Sequence, residues 1–150
     1  MTTTRFPLNW DLTPFFPDPA TTEFKQVLTD CRQRMASLAN ESDQLPPLST
    51  DRAAISAWEQ FLQAYEEVDA QFGDLRSAME CWSAGDAQNK LYQQYMATLS
   101  ALSPIREQIA TNIDFSLRAT DESVLDQMTE ASSYLAKIQY FLSHRRRQAA

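Results

Sequence analysis

Few side chains in this sequence have the type and spacing that chemistry needs. His144 is the only histidine. A helical pair of histidine ligands requires a second one four residues away, and Tyr140 and Gln148 occupy those positions. A di-iron bundle requires Glu-x-x-His twice, and Phe141 stands where the glutamate would be. With one His and only Cys31 and Cys81, neither a structural zinc finger nor a three-histidine site can be assembled. Glu66, Glu67 and Asp69 bring three carboxylates together in sequence. Neighbouring residues on a helix point about 100° apart, so a solvated face is expected rather than an acid–base pair. The two glycines, Gly73 and Gly85, are too far apart for a P-loop or a Rossmann turn, both of which need clustered glycines. No G-x-S-x-G elbow is present to expose a serine nucleophile.

The arginines Arg145, Arg146 and Arg147 could meet phosphate. Duplex binding, however, is driven by phosphate neutralisation, and the chain carries a net charge of -7. No nucleic-acid partner is expected, and the three cations read as complements to a helix C-terminus. Cys31 lies on an apolar stripe and reads as a small buried hydrophobe. No catalytic, cofactor-binding or metal-ligating residue is therefore assigned.

Around these residues, 150 positions with 43% apolar side chains provide enough chain for one domain with a core. Val27, Val68 and Val124 are the only valines, and glycine is scarce. Sheets favour β-branched residues and hairpins favour turn glycines, so an all-α fold is expected. The expected architecture is an antiparallel bundle of about four long helices, with an extended aromatic and proline-rich arm over residues 1–17 and a helical lobe over 18–150. Trp10, Phe15 and Phe16 in the arm carry enough apolar surface to pack on the helices.

The first helix is expected over 19–39, with Asp18 as cap and Pro19 in the first turn. A second over 51–82 carries the stripe Trp58, Phe61, Leu62, Tyr65, Val68, Phe72, Leu75, Met79 and Trp82. Gly73 falls inside this run and marks close packing or a bend. Gly85 reads as a left-handed C-cap, and Asp86 as the cap of a third helix over 87–118. Pro104 is expected to kink that helix without ending it, because the apolar phase continues past it. A fourth helix, capped by Thr120, is expected over 121–147, weakened at Ser132 and Ser133. Met1 to Trp10 holds no run long enough for a signal peptide, and no stretch approaches the ~18 apolar residues of a membrane span. A cytoplasmic protein with no membrane partner is expected.

The opening Leu8-Asn9-Trp10-Asp11-Leu12-Thr13-Pro14-Phe15-Phe16, then Asp18-Pro19 and a helix through Phe24, resembles the start of oligoendopeptidase F and its relatives in the M3 family of zinc metallopeptidases. The long helix to Trp82, the break at Ser83–Asp86, the returning helix, and the closing Tyr140-Phe141-Leu142-Ser143-His144-Arg145-Arg146-Arg147 are similar in layout. The resemblance implies an N-terminal lobe that walls a substrate channel for short peptides. It implies that the partner is a downstream catalytic domain, whose His-Glu-x-x-His motif and further glutamate hold zinc. None of those ligands occurs in these residues. The chain alone is thus expected neither to bind zinc nor to cleave peptides. A stand-alone helical interaction module, presenting an aromatic stripe to a partner helix, is the alternative.

Overall fold

The structure, a computed structural model, describes residues 11–149, so the expectation for Trp10 lies outside them. Among the described residues there are six helices and no strand: α1 (Thr22–Ser42), α2 (Arg52–Gly85), α3 (Lys90–Arg118), α4 (Glu122–Ala131), α5 (Ser133–Lys137) and α6 (Gln139–Ala149). None of these helices is long and apolar enough to cross a membrane. At 1.5 Å per residue, α2 is about 51 Å long and dominates the molecule.

The expected bundle forms from α1, α2 and α3, each of which packs on the other two. Contacts between named residues give the directions. Phe24 meets Trp82, while Arg34 meets Glu67 and Trp58 meets Pro46, so α1 and α2 run antiparallel. Phe24 also meets Tyr95, and Ser42 meets Asn112, so α1 and α3 run the same way. The interior is the predicted stripe: Trp58, Phe61, Leu62, Val68, Phe72, Leu75 and Met79 are all buried. They interlock with Phe24, Cys31 and Met35 from α1 and with Leu99, Leu102, Ile109 and Ile113 from α3.

Several local expectations are corrected. Asp18 caps a turn, not a helix: its carboxylate accepts from the Ala20 amide at 2.7 Å, and its carbonyl accepts from Thr21. The helix begins later, where the Thr21 hydroxyl accepts from the Phe24 amide at 3.3 Å. Residues 13–15 form a turn closed by Phe15 and Phe16 amides on the Leu12 carbonyl, so the arm is not simply extended. Phe16 meets the Trp82 ring edge-on, but Phe15 is 79% exposed, contrary to its expected packing. Gly85 does not adopt a positive φ, so it is no left-handed cap. Asn89, not Asp86, caps α3, accepting from the Leu91 and Tyr92 amides. Thr120 does not cap the next helix; its hydroxyl donates to the Ser116 carbonyl and Asp121 takes the cap position. Pro104 sits within an uninterrupted α3, as expected.

The largest departure is at the expected fourth helix, which is three. Ser132 is extended, with φ -127 and ψ 122. Its hydroxyl accepts from the Leu135 amide at 3.1 Å and lies 3.1 Å from the Glu59 carboxylate. A serine hydroxyl that offers the backbone an alternative partner ends one helix and caps the next. A second break falls at Ile138, after which α6 packs along α3.

Two substitutions test this packing. Phe72→Ala, in the core, should lower stability by about 3–5 kcal/mol in denaturant unfolding. A Cβ at Gly73 meets nothing within 4 Å, so this glycine marks no close packing. Gly73→Ala should therefore raise stability, by up to about 1 kcal/mol.

Candidate peptide-binding groove

Where the chain returns over α2 and α3 it leaves a groove of about 480 Å³. One wall is a single face of α2: Leu62, Tyr65, Glu66, Asp69 and Ala70, at helical spacing. The opposite wall is Tyr134, Ile138, Phe141 and Arg145, and α3 adds Arg106. The second wall keeps helical spacing across the break at Ile138, so both sides face inward.

The charged groups are largely committed to one another. Arg106 grips Asp69 through two nitrogens, the longer contact being 3.2 Å. Arg145 grips Asp114 at 2.7 and 2.8 Å and also donates to the Ala110 carbonyl at 3.2 Å. Its guanidinium lies 5.5 Å from the centre of the Phe141 ring. Paired, planar contacts of this kind fix geometry as well as charge. They hold α3 to α2 at one point and α6 to α3 at another.

The phenols complete the groove. The Tyr134 hydroxyl donates to the Glu66 carboxylate at 3.0 Å. Burial holds this phenol protonated above its ordinary range, and the hydrogen bond to Glu66 and the charges of Glu66 and Glu59 act in the same direction. Burial raises Tyr65 too; Asp69 adds to the effect, and Arg106 and Arg145 oppose it. Tyr65 also stacks on Phe61, with ring centres 6.4 Å apart.

The structure separates the three carboxylates that sequence places together. Glu67 pairs with Arg34 at 2.8 Å on one side of α2, Glu66 meets Tyr134, and Asp69 is half-buried against Arg106. The expected solvated face is thus partly a groove wall. Arg146 does complement a helix C-terminus, but that of α3: it donates to the Thr120 carbonyl at 3.0 Å and approaches Glu122 at 3.8 Å. His144 lies outside the groove, stacked on exposed Tyr140. Cys31 is buried, and burial pushes its thiol up; Cys81 is exposed on another helix. Among the described residues no three His, Cys, Asp or Glu side chains gather to hold a metal ion.

Sequence reasoning singled out Glu66, Asp69 and Arg145 for other roles and passed over Tyr134 and Arg106. The signal available for those two was weak: a tyrosine on the inner face of the last segment, and an arginine two residues after Pro104. No family model, curated protein or solved structure matches the chain.

The lining presents an apolar floor, an open carboxylate and fixed hydrogen-bonding groups. Its alkaline behaviour is testable. The raised Tyr134 value means the folded state keeps a proton that the unfolded chain, titrating near 10, gives up. That stabilisation is whole below about pH 10 and is lost as pH rises through the folded value. Urea midpoints should fall above about pH 10, and Tyr134→Phe should make the fall shallower.

Proposed function

We propose that this chain is the helical lobe that walls one side of the substrate channel in an oligoendopeptidase F-like zinc metallopeptidase of the cytoplasm. The observation that carries the reading is the groove between α2, α3 and the α5–α6 segment, a formed trough about the size of a small-ligand site. The opening Trp10-Asp11-Leu12 motif and the order of long helices support it from the sequence side.

The described residues do not fit a catalytic zinc, which needs three protein ligands and an open position. His144 stacks on Tyr140, Cys31 is sealed in the core, and no acidic cluster accompanies either. On this reading the zinc ligands belong to a separate catalytic domain, and the lobe acts on peptides by selecting what reaches that domain. Helices α2 and α3 and the α5–α6 segment bound the channel, and the groove holds an apolar side chain of the substrate away from water. A wall of this kind favours short, unfolded peptides over folded proteins.

A stand-alone interaction module is the second reading. It draws on the exposed aromatic rings of Phe115, Phe141 and Tyr140, the last 78% exposed. A partner protein could cover such rings.

A ladder of fluorogenic peptides of increasing length separates the two. The lobe alone should not cleave any of them. Joined to a zinc domain of the family, it should shift cleavage toward the shorter members. Identical length preference with and without the lobe would favour the interaction module, and chelator-sensitive cleavage by the lobe alone would overturn both readings.

A further inference from the structure

We infer that the groove takes a peptide segment in which a hydrophobic side chain is flanked by lysine or arginine. The inference rests on the channel-wall reading and names the class of peptide that the wall prefers.

The apolar part comes from the floor. Leu62, Ala70 and Ile138 line it, and the partly exposed ring of Phe141 forms one lip. Water in such a trough is displaced favourably by an aliphatic or aromatic side chain.

The sign of the flanking charge follows from which lining charges remain unneutralised. Four lining residues are ionic: Glu66, Asp69, Arg106 and Arg145. Asp69 and Arg106 neutralise each other, and Arg145 is neutralised by Asp114 just outside the lining. Glu66 is left over. Tyr134 donates one hydrogen bond to it, but a carboxylate has room for several. Glu59 stands two turns earlier on α2 and meets only the Ser132 hydroxyl. Among the described residues neither Glu59 nor Glu66 forms an ion pair. Side chains of an extended segment alternate faces, so one basic residue faces Glu66 while the charge of Glu59, about 10 Å along α2 and close enough to act on Tyr134, adds to the negative field. An acidic segment would meet the same carboxylates, while both arginines that could have received it are already held by two-nitrogen contacts.

The test is fluorescence anisotropy of the 150-residue chain with short labelled peptides sharing a Leu-Phe centre and flanked by Lys, Gln or Glu. Affinity should fall in that order, and the Lys preference should shrink with added salt. Glu66→Gln should weaken the Lys peptide about fivefold, the equivalent of one exposed ion pair of ~1 kcal/mol, and leave the Gln peptide unchanged. Glu66→Lys should reverse the order of the Lys and Glu peptides. Glu66 is exposed, so neither variant removes core packing. Ile138→Ser should weaken all three peptides alike. Equal affinity for the Lys and Glu peptides, or a preference indifferent to charge reversal at Glu66, overturns the inference. Length discrimination that persists in the joined enzyme without this charge preference overturns it alone. Charge preference without length discrimination retains the basic-peptide site and overturns the channel-wall reading.

Discussion

The apolar stripe of α2 is the contact on which the rest of the structure depends. From Trp58 to Met79 it presents buried aromatic and aliphatic side chains to α1 and α3. Such a stripe cannot be satisfied by one neighbour. Residues at threes and fours cover a face wide enough for two helices, so α1 and α3 settle side by side against it. Polar contacts then set the ends. The Trp58 indole donates to the Pro46 carbonyl at 2.9 Å and ties down the Pro46–Pro47 loop. The Asn112 amide donates to Ser42 and Asp43, at 2.8 and 2.7 Å, and joins the end of α1 to α3.

The groove is a consequence of that frame. No residue of α1 lines the groove along the Leu62–Ala70 face of α2. The last third of the chain lies against this face without filling it. Its position is set by Arg145 on Asp114, Arg146 on the Thr120 carbonyl, and Ser132 beside Glu59. The Arg145–Asp114 pair is half-buried, and ion pairs this close to the surface contribute little to stability. Their value here is directional: paired guanidinium contacts admit few geometries, so they determine where the second wall stands.

Charge balance in the groove follows from the same geometry. The two arginines that enter it arrive already neutralised, because each is also a tether between helices. A guanidinium paired through two nitrogens with a carboxylate carries little net charge to offer a ligand. The leftover carboxylate on α2 therefore gives the groove its character, and the Tyr134 phenol, held protonated by burial and by that carboxylate, keeps it oriented.

Residue types and their spacing alone determined the helical fold, the three long helices and the identity of the core. Trp58, Tyr65, Phe72, Leu99, Leu102 and Ile109 are buried as their periodicity requires, because a helix repeats every 3.6 residues whatever surrounds it. Cap choices were less legible. Asp18, Thr21, Asp86 and Asn89 are all competent caps, and only the packing of the flanking helices selects among them. The last segment was the least legible. Its apolar phase runs through Ser132 and Ile138 unbroken, yet the chain bends at both, since Ser132 finds Glu59 some seventy positions away. The groove shares that origin. Asp69 with Arg106, Glu66 with Tyr134 and Arg145 with Asp114 are long-range pairs, and no local pattern encodes them. Local sequence decided which face of each helix turns inward; tertiary structure decided which polar groups meet, because that depends on where separate helices come to rest.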